Sequence, residues 1–363
     1  MLSTKSKVRV MSVLAILAML FSFANVNPAS ASTSMSHFND LGNYLISDQF
    51  NNRVIEVDKF HKIVWQFGDG SSVAGSKSIV APNDAQRVGV LTLMAGTGAP
   101  AGSEPTCPSG CADNRVLLVN QVGKIVWQYG KAGVTRSGPD ELNAPVQATW
   151  LPGSDVLITD QGNQRVIEVN LKKQIVWQYG MTGMSGAGFN HLNDPNSAEL
   201  LMNGHILIAD EGNDRVIEVN RAHQIVWVYG VVGNSSILNG PAFASRLPDG
   251  HTLITDAGNN RILGVTPAGH VAWRYVTNTR PGSAAEPNPT RAVRLKNGDT
   301  LISDQFNHQV IEVDLAGAIV FSQGKIAIAG DGFNRLNAPY DAKVIGDYTG
   351  LTPPFGLPPA GLQ

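Results

Sequence analysis

One phrase is written six times along this chain of 363 residues, and that repetition limits how it folds more than any other feature. Residues 160–180 read DQGNQRVIEVNLKKQIVWQYG, and residues 210–230 read DEGNDRVIEVNRAHQIVWVYG. Pro-x-x-Ala recurs at Pro82/Ala85, Pro145/Ala148, Pro195/Ala198, Pro241/Ala244, Pro289/Ala292 and Pro339/Ala342. An aromatic residue stands near the end of each unit, at Trp65, Trp127, Trp177, Trp227, Trp273 and Phe321, with spacings of 62, 50, 50, 46 and 48. An Asp follows four of the alanines by 12 positions (Asp160, Asp210, Asp256, Asp304), and Asp48 holds that place in the first unit. A period of this length marks a supersecondary unit that is stable only beside its neighbours.

The unit reads as four short strands. In the copy starting at Pro195, residues 195–201, 205–209, 215–219 and 224–229 are Ile- and Val-rich, and Asn203-Gly204, Glu211-Gly212-Asn213 and Asn220–His223 supply the turns. Runs such as HILIAD and RVIEVN are apolar on both faces, as in a sheet covered on both sides. Six such sheets hide both faces when stacked in a circle. Residues 336–350 (LNAPYDAKVIGDYTG) look like a first strand without a blade of its own, and the first unit, starting near Ser36, lacks one. The expectation is an all-β, six-bladed β-propeller with four antiparallel strands per blade, the first blade completed by the C-terminal strand.

The first 31 residues differ in kind. Lys5, Lys7 and Arg9 precede an apolar run to about Ala24, and Ala29-Ser30-Ala31 ends it, the pattern of a secretory signal peptide cut after Ala31. The expected domains are therefore a signal peptide at 1–31, a propeller at 32–346 and a Pro-rich tail at 347–363 with the character of a disordered end. The protein would then be secreted or periplasmic, without stable membrane insertion after cleavage, and monomeric. Removing the signal leaves 24 basic residues (27 less those three) against 29 acidic, a formal charge near −5. No basic block remains to hold nucleic acid. Cys107 and Cys111 lie close together, and in an exported chain such a pair most often forms a disulfide.

Several units resemble the NHL repeat, with a Gly-rich lead, a Pro before the first strand, and Asp, Asn and Arg around the second turn. Residues 188–219 (GFNHLNDPNSAELLMNGHILIADEGNDRVIEV) and 304–313 (DQFNHQVIEV) carry it. GKIVWQYG (123–130) is similar to the docking strand of quinoprotein-type propellers and bacterial arylsulfotransferases. The resemblance implies a propeller fold and leaves function open, since propellers host enzymes, binders and scaffolds. An NHL-like amidating lyase would need three zinc-binding histidines on the site face. Only His191 and His308 fall there. Arylsulfotransferases need a histidine nucleophile with an arginine, for which His308 and Arg291 are the available pair. The quinone-type site expects adjacent cysteines and more blades, which this chain lacks.

Residues common to most units (the Asp, Asn and Arg around the second turn, and Glu56, Glu168, Glu218 and Glu312) read as turn caps and blade-to-blade ties. The tryptophans read as packing. Function is expected where the repeat breaks. The residue before each Pro-x-x-Ala alanine should ring the channel mouth, and it reads Asp341, Asp84, Gln147, Ser197, Phe243, Arg291. Asp84 and Asp341 could hold a divalent cation, orient a polar ligand with Arg291, or neutralise that arginine. Phe50 and Phe306 stand where other units have Gly, and residues 95–114 replace the turn of the second unit, as a lid, a cleft wall or plain decoration. The reading is a module that binds a small-molecule or protein ligand on the channel face through Asp84, Asp341, Gln147, Arg291, Phe50 and Phe306. The alternative is a transferase or lyase using His308, His191 or Arg291.

Overall fold

The computed structural model describes residues 37–362; the expected signal peptide lies outside them. Six four-stranded antiparallel sheets follow one another around a ring. Blade one comprises Pro339–Val344, Tyr44–Asp48, Arg53–Val57 and Ile63–Phe67, so the last strand of the chain pairs with the first as the sequence led one to expect. Tyr44 lies opposite Val344 and Ile46 opposite Ala342 in that closing pair. Blades two to six begin at the innermost strands Pro82–Val88, Pro145–Trp150, Pro195–Leu200, Pro241–Arg246 and Arg291–Arg294 and run outward in chain order.

Among the described residues each boundary between blades holds one apolar cluster, and a small seventh cluster of Val80, Ala81, Ala99 and Cys107 lies at the insertion. Val116 and Leu118 of blade two, for example, meet Ile158 and Ile167 of blade three. The boundary between blades six and one is filled in the same way, by Val293 and Val310 against Ile46 and Ile55. This is why the phrase repeats: each sheet is a half-finished core that its neighbour completes.

Polar ties follow the same logic. Each of the four glutamates reaches a partner in the next blade: Glu56 pairs with Arg87, Glu168 with Arg221, Glu218 with Arg246, and Glu312 accepts the Tyr44 hydroxyl. The indole N–H groups of Trp65, Trp127, Trp177 and Trp273 donate to carbonyls of the following blade. Phe321 has no such donor and instead stacks on Tyr44, ring centres 4.0 Å apart.

The turn between strands two and three is a single 3-10 turn ending in a left-handed residue, at Asn52, Gln164, Asp214, Asn260 and His308. Asn and Asp tolerate that conformation better than most side chains. In blade six Gln309 replaces the Arg after the turn and Asp304 pairs with Arg280; in blades one, three, four and five the buried Asp before the turn binds that Arg, as in Asp48–Arg53 (2.7 Å) and Asp210–Arg215 (2.7 Å). Its second oxygen accepts the backbone N–H two residues before a blade's proline: Asn143, Asn193, Asn239 and Asn337 all donate.

Blade six breaks this rule. The corresponding residue is Pro287, which has no N–H, and Asp304 Oδ1 is left without a partner. Burial pushes Asp304 up to about 6, only partly opposed by Asn307 and Arg280. A carboxyl with a raised folded pKa favours folding at low pH and loses that contribution as pH rises through about 6. Pro287→Asn supplies the missing donor. Its gain in a charge-assisted hydrogen bond exceeds the chain entropy that proline removes, for a net stabilisation of about 1 kcal/mol near neutral pH. Thermal melts should show the gain at pH 7.5 and little of it at pH 4; an unchanged melt at pH 7.5 would contradict this account.

Candidate functional site

The six residues expected to ring the channel mouth lie inside the channel, each at most 2% exposed. Four of them lace the blades together. Asp341 accepts the N–H of Ala85 (3.2 Å), Asp84 that of Ala148 (3.1 Å), Gln147 that of Ala198 (2.8 Å) and Ser197 that of Ala244 (3.2 Å). Phe243 and Arg291 end the series. Arg291 reaches across the channel from blade six: Nη1 donates to Asn196 Oδ1 and the Ala242 carbonyl, Nη2 to the Val146 carbonyl. Its guanidinium sits 5.1 Å from the ring centres of both Phe243 and Tyr340, a cation–π sandwich that takes it out of reach of solvent.

The expected grouping of Asp84 and Asp341 around Arg291 is therefore corrected. Their direct partner is Lys343, whose ammonium lies 2.7 Å from Asp84 Oδ1 and 2.5 Å from Asp341 Oδ2. The place considered for a divalent cation holds the chain's own cation. No cluster of three or more metal-ligating side chains occurs among the described residues. Burial raises Asp84 to about 6 against the pull of Lys343. Burial drags Lys343 down, but the two carboxylates outweigh it and hold the ammonium above its ordinary value. Lys343 was legible: it stands two residues after Asp341, on the same face of the strand.

One step deeper, the tail seals the far end. The Thr352 N–H donates to Glu199 Oε2 (2.7 Å), its hydroxyl meets the Leu200 carbonyl (3.1 Å), and Gln86 Nε2 donates to its carbonyl (3.0 Å). Leu351 and Thr352 are buried, so the expectation of a disordered end fails there. A further bond from the Leu200 N–H to the Thr352 hydroxyl (2.9 Å) helps hold the chain there.

With the channel filled, what remains on the face of the second turns is a cleft of ≈ 610 Å³. Phe50 and Phe306 line it, as expected, and Phe306 is 40% exposed. The insertion forms its wall: strands Leu91–Ala99 and Cys111–Val119 lengthen into a hairpin, and Pro100, Ala101, Ser103, Ser109 and Gly110 face the cleft. Cys107 and Cys111 brace that tip with their sulfurs in contact and Cα atoms 5.7 Å apart, a separation a disulfide spans.

The floor comes from residues the sequence reading passed over. In five blades the innermost strand carries a register shift between the proline and the second residue after it, for instance between Pro82 and Asp84. That shift turns the first residue after proline toward the mouth, which is why Asn83, Asn196 and Tyr340 line the cleft and Asp84 and Asp341 do not. A second set comes from the position after the blade Asp: Gln49, Gln161, Glu211 and Gln305. This pattern was visible in the repeats and went unread.

These groups form a chain of amides. Gln305 Nε2 donates to Gln49 Oε1 (2.8 Å), and Gln49 Nε2 donates to Asn83 Oδ1 (2.7 Å). On the other side Glu211 Oε2 accepts from Asn196 (2.7 Å) and Gln161 (3.2 Å), while Oε1 has no partner among the described residues. Burial pushes Glu211 up to about 7, and Asp194 adds to the shift while Asn196, Arg291 and Gln161 oppose it. Glu211 can therefore give or take a proton near neutrality.

His308 and His191 do not line the cleft. His308 holds the left-handed turn position, and its Nδ1 accepts the N–H of Ala338 (3.0 Å), as Asn52 Oδ1 accepts that of Ala81 (2.7 Å). Burial lowers its pKa below the usual imidazole value. His191 Nδ1 lies 2.8 Å from the Phe189 carbonyl.

No family model and no curated protein matches the chain. Among solved structures, a protein of unknown function from Bacteroides caccae is 15% identical over 78% of this chain and 93% of its own, with a TM-score of 0.54. A virginiamycin B lyase from Staphylococcus aureus is 14% identical, covering 80% and 87%, with a TM-score of 0.48. BamB from Moraxella catarrhalis is 13% identical over 75% and 70%, at 0.40. At such identities the likeness is one of fold.

Proposed function

We propose that this chain is an exported, monomeric propeller of the NHL kind whose task is to bind a ligand in the channel-face cleft. The observation that carries the reading is a ≈ 610 Å³ recess standing over a channel filled by the protein's own side chains. A cleft with a rigid floor, two aromatic rings at its rim and a braced wall is organised before any ligand arrives. The Asp–Asn–Arg turn of most blades supports the NHL assignment. Residues 1–31 and the paired Cys107 and Cys111 support export and a disulfide.

The arylsulfotransferase-like alternative finds little support in the positions of its residues, because His308 and Arg291 are both committed to blade-to-blade bonds. One observation favours an enzyme of another sort: Glu211, with one oxygen held and the other open, has the form of a general acid or base.

Ligand-observed NMR with a library of small fragments tests the binding reading. Hits are expected to compete for one site and to weaken about tenfold or more in Phe306→Ala, given what a buried aromatic anchor contributes. Hits unaffected by Phe306→Ala and Phe50→Ala would remove the cleft from consideration.

A further inference from the structure

We infer that the cleft binds a neutral carbohydrate, with the pyranose faces laid on Phe50 and Phe306 and the hydroxyls met by the amide floor; this rests on the cleft being the binding site. The argument begins with charge. Among the described residues that line the cleft there is no Lys, Arg or His. The buried guanidinium of Arg291 directs both its terminal nitrogens to Asn196 and to backbone carbonyls. A sulfate, phosphate or carboxylate entering the cleft would give up its hydration and meet no counter-charge. Anionic ligands are therefore disfavoured.

The open hydrogen-bonding groups are of mixed sense. Asn83 Oδ1 is taken by Gln49, while its Nδ2 makes no bond among the described residues. Among the described residues Glu211 Oε1 and Gln161 Oε1 accept no bond, since Gln161 acts there only through its Nε2. Gln49 and Gln305 each use a single bond from Nε2, leaving one hydrogen apiece. Donors and acceptors side by side suit a hydroxyl, which is both. A Glu carboxyl poised near neutrality also suits a hydroxyl, because it can accept from it when ionised and donate to it when protonated. A ligand amine would need the ionised form alone.

The remaining feature is shape. Phe50 and Phe306 hold equivalent positions in blades one and six, which adjoin at the closure, and their backbone N–H groups are fixed by the carbonyls of Asn337 and Pro287. Both rings line the cleft, one from each of these adjoining blades. Sugar rings present C–H groups on their faces and hydroxyls at their edges, the division that an aromatic rim above an amide floor provides. The volume of ≈ 610 Å³ accommodates a short oligosaccharide.

The test is isothermal titration of the mature protein with neutral hexasaccharides (cello-, xylo-, malto- and N-acetylchito-oligomers), against a fully de-acetylated chitosan hexamer, a heparin hexasaccharide and an uncharged hexapeptide. At least one neutral sugar is expected to bind, with affinity changing less than about threefold between pH 6 and 8, and about tenfold more weakly to Phe306→Ala. Phe306→Tyr should restore the affinity, and unchanged melting of both variants would exclude misfolding. Preference for the sulfated or aminated oligomer, or binding of the peptide alone, would overturn the carbohydrate assignment while leaving the cleft as a binding site. Failure of every probe, together with fragments indifferent to Phe306→Ala, would overturn both.

Discussion

A chain ending at Leu336 is expected to show no cooperative unfolding transition. The missing strand, Pro339–Val344, supplies five register pairs to Tyr44–Asp48 and with them the strand pairing that closes the ring. Without it, Tyr44–Asp48 becomes an unpaired edge inside the molecule, with buried N–H and C=O groups facing water or nothing. The core between blades six and one loses Ala342 and Leu351 and is opened to solvent. Asp84 loses Lys343, and Arg291 loses one of the two rings that sandwich it. Domains are stable by about 5–15 kcal/mol in all, and a deletion that opens a core, an edge and a buried charge cluster together exceeds that margin. Circular dichroism melts and calorimetry would read the effect, and a peptide of residues 337–363 added in trans should restore a transition. A truncated chain that melted cooperatively at the full-length temperature would mean that the ring does not depend on this closure.

The ring was legible because its cause is local and repeated. Six copies of a sheet apolar on both faces have few ways to hide, and the spare strand at 336–350 stated how the circle ends. Phe50, Phe306 and the 95–114 insertion were legible for the opposite reason: they depart from a pattern established by the other units. Misreading began where one residue of register decides direction. The shift after the proline of five blades is a backbone irregularity with no residue type of its own, and it exchanged Asn83, Asn196 and Tyr340 for Asp84 and Asp341 at the mouth. Long-range ties were also unreadable. Nothing near Arg291 in sequence announces that its guanidinium crosses the channel to the Val146 carbonyl, nor that Thr352 folds back under Glu199. His308 misled because a histidine draws chemical attention, whereas its turn position asks only for an acceptor, the part that Asn52, Asn114 and Asn260 play elsewhere.

Lys343→Met is the point substitution expected to do most damage. It leaves Asp84 and Asp341, both about 1% exposed, facing each other without the ammonium that binds them. Breaking a buried pair by removing one partner costs about 3–5 kcal/mol, because the charge left behind is neither solvated nor paired. That corresponds to a fall of about 10 °C in melting temperature for a domain of this size. The pH dependence follows from the direction of the shifts. Burial already raises Asp84 to about 6 in the intact protein, and loss of Lys343 raises its folded-state value further above the unfolded one. The folded variant then binds more protons than the unfolded chain, so its stability is greatest in acid and is lost as pH rises through the folded pKa. Melts of variant and parent should diverge most at pH 8 and converge toward pH 5. Adding Asp84→Asn and Asp341→Asn to Lys343→Met should recover much of the loss at pH 8, since each amide still offers an oxygen to the N–H of Ala148 or Ala85 and leaves no charge uncompensated. A single variant as stable as its parent at pH 8 would show that the two aspartates reach some other counter-charge, and that the channel is held together differently.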